Sequence, residues 1–261
     1  MDFNIHTRTA LVFGAGGGLG SAISLALANE GATVIAADVN QEALGGTGER
    51  LKAAKASFST LLWDLGDLDI IERHLKTIEE RHGSVDILVN NTGGPPPSAA
   101  GAFDAATLEA QFRSMVMSVM AITSGVIPQM QKKGWGRIIT SVSSGVVAPI
   151  PNLAVSNALR LSLVGWSKTL AREVAQDGIT VNTVIPGRIG TARTKFLDAA
   201  KAQREGVSAE TITQQSVATI PAGRFGRPEE YADAVAFLAS DRASYITGTQ
   251  LRVDGGMLAN I

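Results

Sequence analysis

The fold is decided by residues 9–38, which read TALVFGAGGGLGSAISLALANEGATVIAAD. Residues 10–13 form a continuous apolar run, which is typical of a strand that is covered on both faces in a parallel sheet. The run is followed by three spaced glycines, Gly14, Gly18 and Gly20. These glycines predict a sharp turn that opens a helix whose free N–H groups favour an anion. A second apolar run at residues 33–37 predicts a second strand, which ends on Asp38.

Asp38 lies where a dinucleotide site needs an acid. It follows Gly20 by 18 residues, and a carboxylate at the end of the second strand can accept hydrogen bonds from the adenine ribose hydroxyls. The same charge would repel a 2′-phosphate, which favours NAD over NADP. Glycines after a strand can also serve only a tight helix–strand junction, so the turn alone leaves both interpretations open.

Helical patterns alternate with short apolar runs along the rest of the chain. Further strands are predicted at residues 57–62, 87–89, 138–139, 180–185 and 250–253. Seven strands separated by helices predict an α/β fold, a Rossmann-type doubly wound parallel sheet with helices on both faces. Because no linker rich in Pro, Gly or Ser divides the chain, residues 1–261 are expected to form a single domain. One long helix is predicted at residues 107–133, and another runs through Ser156, Arg160 and Lys168 and ends at Asp177 and Gly178.

Composition excludes several classes of function. The formal net charge of −1 and the scattered basic residues offer no patch for nucleic acid or for a membrane surface. The absence of cysteine removes disulfides, metal thiolates and a thiol nucleophile, so we expect no metal site and a cytoplasmic location. Asp2 precedes any apolar run, which is unlike a signal peptide. Residues 115–130 are apolar but interrupted by Ser, Thr, Gly and Pro, which predicts a buried helix.

The glycine spacing resembles that of the short-chain dehydrogenase/reductase family, and especially its 3-oxoacyl-(acyl-carrier-protein) reductase-like members. Phe13 stands where the family usually has Thr. The segments at residues 90–93, 136–139, 186–191 and 224–256 extend the resemblance over nearly the whole chain. The resemblance implies that NAD, or less readily NADP, is held by Gly14, Gly17, Gly18, Leu19, Gly20, Asp38, Asp64, Leu65, Asn90, Thr92, Gly93, Arg160, Pro186, Gly187, Ile189 and Thr191.

Three of these positions have particular interpretations. Gly17 stands where NADP-preferring members of the family often carry a basic residue, which again favours NAD. Asp64 is interpreted equally well as an acid at a helix N-terminus. The Asn90 side chain can instead satisfy backbone groups at the end of its strand.

The family's catalytic residues are largely absent from this chain. Aligned on residues 165–171, the family's Tyr position is Ser156 and its Lys position is Arg160. The family's Ser is kept as Ser143, thirteen residues before Ser156, whereas its Asn position is Met115. The resemblance therefore implies catalytic roles for Ser143, Ser156 and Arg160 in a site that lacks the usual phenol and amine.

Three functions remain open for such a site. In an NAD-dependent oxidoreductase, Ser143 and Ser156 position the substrate, Arg160 fixes the cofactor and polarises the oxygen, and water carries the proton. In a lyase or isomerase acting on a hydroxy-carbonyl compound, Arg160 stabilises an enolate. In a scaffold or regulatory subunit the cofactor binds without turnover, Ser156 is a small filler and Arg160 a solvated charge.

The substrate side carries fewer signals. Residues 93–97, with the sequence GGPPP, are predicted to form a stiff wall, and residues 192–227 a lid. Arg113, Arg188 and Arg193 are candidates to select an anionic substrate, although each is also interpretable as a surface charge. Family members commonly assemble through two long central helices, so the resemblance implies a homo-oligomer, a dimer or tetramer, that acts on a small molecule.

Overall fold

The computed structural model describes residues 2–102 and 104–260. Its centre is one parallel sheet with the strand order β3-β2-β1-β4-β5-β6-β7. The strands are β1 Thr9–Phe13, β2 Thr33–Asp38, β3 Phe58–Leu62, β4 Ile87–Asn90, β5 Gly136–Ser141, β6 Ile179–Pro186 and β7 Gln250–Val253. The predicted seven-stranded, doubly wound α/β fold is confirmed. The order reverses between β1 and β4, and ligands of such sheets bind in the crevice at that switch point.

Helices cover both faces of the sheet. Among the described residues they are α1 Gly18–Asn29, α2 Gln41–Ala53, α3 Ile71–His82, α4 Ala105–Phe112, α5 Ser118–Lys133, α6 Ala154–Val174, α7 Ala192–Glu205, α8 Ala209–Ala218 and α9 Pro228–Leu238. Ile23 of α1 and Val235 of α9 pack with Val12 in one apolar layer. Ile78 of α3 and Ile122 of α5 pack with Leu11 in the other. Because both faces are covered, the inner strands are continuous apolar runs.

The helix predicted at residues 107–133 differs from the structure in its start and its continuity. Asp104 caps α4, accepting a hydrogen bond from Thr107 N at 2.9 Å, so the helix begins at Ala105. One π-helical turn, Arg113–Met117, then separates α4 from α5. A π turn holds more residues than an α turn, and this one places Met115 in the core. Periodicity alone predicts one regular helix here.

The segment from α4 to α5 is also long and apolar. By length and composition, Ala105–Lys133 is sufficient to cross a membrane. In this structure, Ile122, Val126 and Met130 instead pack into the core below the sheet. Residues 192–227 contain α7 and α8, and their function as a lid stays a prediction.

Candidate functional site

The β1–α1 turn forms a cradle that only glycine can line. Gly14 has a φ of +61°, and its carbonyl accepts a hydrogen bond from Gly17 N at 3.0 Å. A Cβ on Gly20 would lie 2.1 Å from that carbonyl oxygen, and a Cβ on Gly18 would lie 2.9 Å from Cγ2 of Thr191. Gly17 is the N-cap of α1 and caps it with no side chain. The helix therefore keeps free N–H groups, which favour an anion such as a pyrophosphate.

Asp38 is fixed beside this turn at the end of β2. Its Oδ2 accepts a hydrogen bond from Gly16 N at 2.9 Å, and its Oδ1 accepts one from Asn40 N at 2.9 Å. Each carboxylate oxygen has a second lone pair that these bonds do not use. The backbone therefore fixes the orientation of the Asp38 carboxylate without a ligand. The unused lone pairs can accept hydrogen bonds from ribose hydroxyls.

Two polar side chains that the sequence interpretation missed hold the turn from neighbouring elements. Asn91 Nδ2 donates to the carbonyl oxygen of Phe13 at 3.2 Å, and Thr47 Oγ1 donates to the carbonyl oxygen of Ala15 at 2.7 Å. Asn91 directly follows β4, which pairs with β1. The signal for Asn91 is thus its position after a strand, but this signal has meaning only once the strand order is known.

Asn90 and Asp64 are placed differently by the structure. Asn90 is buried, and its Nδ2 donates to Thr123 Oγ1 at 3.3 Å and, more weakly, to Thr140 Oγ1 at 3.5 Å. Its side chain therefore links β4 to α5 and β5 through threonine hydroxyls and not, as the structural alternative had it, through backbone groups at the end of its strand. Asp64 is exposed, and its Oδ1 accepts a hydrogen bond from Gly66 N at 2.8 Å, while Leu65 packs against the core.

The segment after β6 closes the cradle from the other side. Gly187 N donates to the carbonyl oxygen of Val253 at 2.9 Å, so Pro186 and Gly187 are held against β7. Ile189 is buried, and Thr191 caps α7 by accepting a hydrogen bond from Thr194 N at 3.3 Å. Since Thr191 also faces Gly18, the structure brings the residues predicted from the first and sixth strands together.

The two candidate catalytic serines lie on different elements. Ser143 follows β5, and its Oγ accepts a hydrogen bond from Gly145 N at 3.1 Å. Because an accepting hydroxyl keeps its own proton, Ser143 can still donate to a substrate oxygen. Ser156 lies in the first turn of α6 and is 8% exposed. A cavity of about 640 Å³ is lined by the loop after Ser143 and the start of α6, including Gly145 and Asn157.

Arg160 is buried, and its guanidinium binds backbone at the ends of two strands. Nη1 donates to the carbonyl oxygen of Ser141 at 3.1 Å, after which β5 ends. Nη2 donates to the carbonyl oxygens of Thr92 at 3.2 Å and Gly93 at 2.7 Å, just past β4. Burial lowers the pKa of Arg160 to about 10, so the group stays charged at neutral pH. Thr92, Gly93 and Arg160 thus form one connected group.

Met115, at the position of the family's Asn, and the chain's two tyrosines, Tyr231 and Tyr245, supply no proton donor beside Ser143. Met115 is 1% exposed and packs in an apolar cluster with Leu159 and Leu163 of α6. Tyr231 is fully buried, with its hydroxyl 2.8 Å from Ser141 Oγ and 3.3 Å from the carbonyl oxygen of Val184. Burial raises the pKa of this phenol. Tyr245 is fully exposed before the start of β7, at the N-terminal edge of the parallel sheet, whereas Ser143 follows β5 at the C-terminal edge. Neither tyrosine therefore contacts a substrate beside Ser143.

Comparison with known proteins places this fold and glycine turn in one family. A family model described as enoyl-(acyl carrier protein) reductase matches residues 14–258. The Escherichia coli 3-oxoacyl-[acyl-carrier-protein] reductase FabG is 40% identical over 256 residues, which is 97% of this chain and 98% of the relative. The chain belongs to the short-chain dehydrogenase/reductase family. Members of this family are NAD(P)-dependent oxidoreductases, and the cradle between Gly18 and Thr191 fits such a cofactor.

Solved short-chain dehydrogenases/reductases superpose on the whole chain. L-sorbose reductase from Gluconobacter frateurii, solved with NADPH and L-sorbose, has a TM-score of 0.93 at 29% identity and covers 100% of both chains. YwfH, an NADPH-dependent reductase involved in bacilysin biosynthesis, has a TM-score of 0.91 at 30% identity and covers 97% of this chain and 99% of its own.

Over residues 2–102 and 104–260, no group of three or more His, Asp or Glu side chains is arranged to hold a metal ion.

The arginines considered for an anionic substrate differ in what they bind. Arg113 Nε donates to the carbonyl oxygen of Gly66 at 2.7 Å, and Arg188 pairs with Asp198. Arg193, in the first turn of α7, instead donates from Nη2 to the carbonyl oxygen of Pro95 at 2.7 Å. Of these three, only Arg193 joins the predicted lid to the loop at residues 93–97.

Proposed function

We propose that this member of the family is an NAD-dependent oxidoreductase that acts on a carbonyl or hydroxyl substrate without a tyrosine–lysine pair. The observation that carries the proposal is the Asp38 carboxylate, which the backbone fixes beside an open glycine cradle. A Cβ on Gly14, Gly18 or Gly20 would overlap protein atoms, so the turn keeps the bare backbone that can approach a pyrophosphate closely. We further propose that NAD is preferred, although the two solved relatives described above carry NADPH in their descriptions.

When bound, the nicotinamide supplies or accepts a hydride. The α1 N–H groups neutralise the pyrophosphate, and Asp38 accepts from the ribose hydroxyls. Ser143 donates a hydrogen bond from its free hydroxyl to the substrate oxygen and so stabilises developing negative charge there. Because an alkyl hydroxyl is a weak acid, Ser143 supplies only a hydrogen bond, and Ser156 positions a water that gives its proton to the substrate oxygen during reduction, or takes it during oxidation, in exchange with solvent. Arg160 fixes the ends of β4 and β5 around this corner and contributes a permanent positive charge.

Replacing the Asp38 carboxylate by an amide is expected to relax the choice of cofactor. In Asp38→Asn, the Kd for NAD rises by about tenfold, because charge-assisted hydrogen bonds to the ribose are lost. The Kd for NADP falls, because the repulsion of the 2′-phosphate is removed. Calorimetric titration of both nucleotides measures the two constants. Asp67→Asn is the control, since Asp67 makes a similar local bond to Asp69 N at 3.1 Å. If the ratio of the Kd for NADP to the Kd for NAD were unchanged in Asp38→Asn, the assignment of Asp38 to the adenine ribose would be contradicted.

The oxidoreductase proposal is tested by nicotinamide absorbance with a panel of ketones and secondary alcohols. Ser156→Ala is expected to lower kcat by about tenfold, because the water that it positions is lost, and to leave the Kd for NAD unchanged. Ser162→Ala is the matched control, because this exposed serine on the same helix donates only to the carbonyl oxygen of Leu159 at 2.7 Å. Equal kcat in both variants would remove Ser156 from the mechanism.

A second candidate function is a cofactor-binding scaffold without turnover. It is favoured by Met115, whose side chain fills an apolar cluster where the family's supporting Asn would stand. A proton relay cannot run through such a cluster. NAD binding without any absorbance change across the panel, and with no effect of Ser156→Ala, is the result expected of a scaffold. A homo-oligomer and a cytoplasmic location stay predictions, and light scattering that shows a monomer would contradict the first.

A further inference from the structure

Two guanidinium groups meet at one glycine beside the candidate catalytic corner. A Cβ placed on Gly94 would lie 3.3 Å from Nη2 of Arg193 and 3.6 Å from Nη2 of Arg160. Arg160 approaches from α6 and Arg193 from the first turn of α7. Gly94 itself lies in the loop whose carbonyl oxygens both arginines bind. Two positive charges from separate helices therefore converge on this loop.

These charges have no acidic partner. Among residues 2–102 and 104–260, no carboxylate lies within 4.0 Å of Arg160 or Arg193. Other arginines that are buried or partly buried in the fold do pair with acids, as Arg137 does with Asp241 at 3.7 Å. The charge of Arg193 adds to burial in lowering the pKa of Arg160. Neighbouring like charges without a counter-charge favour the entry of an anion.

The free donors at this position lie on Arg193. A guanidinium has five N–H donors. Arg193 uses one of them for Pro95, whereas Arg160 uses three for carbonyl oxygens, including both on the Nη2 that faces Gly94. Arg160 therefore contributes its positive charge, and Arg193 contributes charge and donors. Arg193 and Gly93 are exposed, so an incoming group can reach this position from solvent. The planar fork of donors matches the two oxygens of a carboxylate.

We propose that Arg160 and Arg193 form a subsite for the carboxylate of the substrate, which makes the substrate a small oxo acid or hydroxy acid. This inference rests on the proposed oxidoreductase function and specifies its substrate class. The pyrophosphate has its own place at the N-terminus of α1, where Gly18 faces Thr191. By binding Pro95 from the start of α7, Arg193 couples arrival of the anion to the contact between the predicted lid and the loop at residues 93–97.

The test uses malonate as an unreactive carboxylate probe and malonamide as its uncharged analogue, each titrated by calorimetry with NAD present. Malonate is expected to bind the wild-type protein and malonamide to give no heat. Arg193→Gln is expected to raise the Kd for malonate at least tenfold, whereas Arg193→Lys, which keeps the charge, raises it less than fivefold. The matched control is Arg204→Gln, because this exposed arginine at the other end of α7 binds only its own helix, and it changes the Kd less than twofold.

Each contrary outcome has a distinct meaning. Equal malonate affinity in Arg193→Gln and in Arg204→Gln would overturn the subsite. Loss of malonate binding on saturation with NAD would also overturn it, because the arginines would then serve the phosphates of the dinucleotide. If the wild-type protein gave no heat with NAD but still bound malonate, the oxidoreductase proposal would be contradicted, and the anion subsite would be supported.

Discussion

Arg160→Ala is expected to lower the free energy of unfolding by about 3 kcal/mol, a large share of the stability of an ordinary domain. The variant leaves the carbonyl oxygens of Thr92, Gly93 and Ser141 without the donors that now bind them. Each lost bond to a charged donor costs roughly 1.5–3 kcal/mol. Part of this loss is offset because a buried charge is no longer desolvated. The measurement is urea denaturation followed by circular dichroism, with the m-value checked for constancy.

Two further variants separate the charge from the fork of donors. Arg160→Lys keeps a positive charge but has a compact ammonium that cannot span all three carbonyl oxygens, so about half of the loss is expected to remain. Arg172→Ala, an exposed position on the same helix, is expected to change stability by less than about 0.5 kcal/mol. If Arg160→Ala behaved like Arg172→Ala, the three carbonyl contacts of Arg160 would contribute no net stability, and the positioning role would be contradicted.

The strands at the centre of the sheet were predictable because apolar helices cover both of their faces. Leu11 and Val12 face opposite layers of helices, and both layers are apolar. A strand buried on both faces is apolar at most positions, so the run of residues 10–13 by itself predicts a strand. The short strand predicted at residues 138–139 extends in the structure over Gly136–Ser141. Polar residues within it, such as Thr140, are buried through bonds that a local pattern does not show.

The site was only partly predictable, because its polar contacts join distant parts of the chain. The cradle is local. A Cβ on Gly20 would clash with Gly14, only six residues earlier, so the spacing of the glycines alone predicts the tight turn. Arg160 is the opposite case, since Thr92 precedes it by 68 residues. In the sequence, Arg160 resembles any other charged residue of a predicted helix. Its burial becomes evident only when β4 is seen to pair with β5. The same holds for Asn91, whose partner Phe13 is 78 residues away.

Gly20→Ala and Gly46→Ala are expected to change stability in opposite directions. Both glycines lie in α-helices, where alanine is intrinsically favoured by about 1 kcal/mol. A Cβ on Gly46 would meet nothing within 4 Å, so Gly46→Ala is expected to stabilise the protein by roughly 0.5–1 kcal/mol. A Cβ on Gly20 would lie 2.1 Å from the carbonyl oxygen of Gly14 and 2.6 Å from its carbon, which are rigid backbone atoms.

Relief of that overlap in Gly20→Ala requires the turn itself to open. The displaced Gly14 carbonyl is the acceptor for Gly17 N, so the N-terminus of α1 moves with it. We expect a loss of about 3 kcal/mol in unfolding free energy and at least a hundredfold rise in the Kd for NAD, because the free N–H groups of α1 no longer face one point. Urea denaturation and calorimetry of both variants measure these effects. Unaltered NAD affinity in a folded Gly20→Ala protein would show that the dinucleotide, if it binds, does not use this turn.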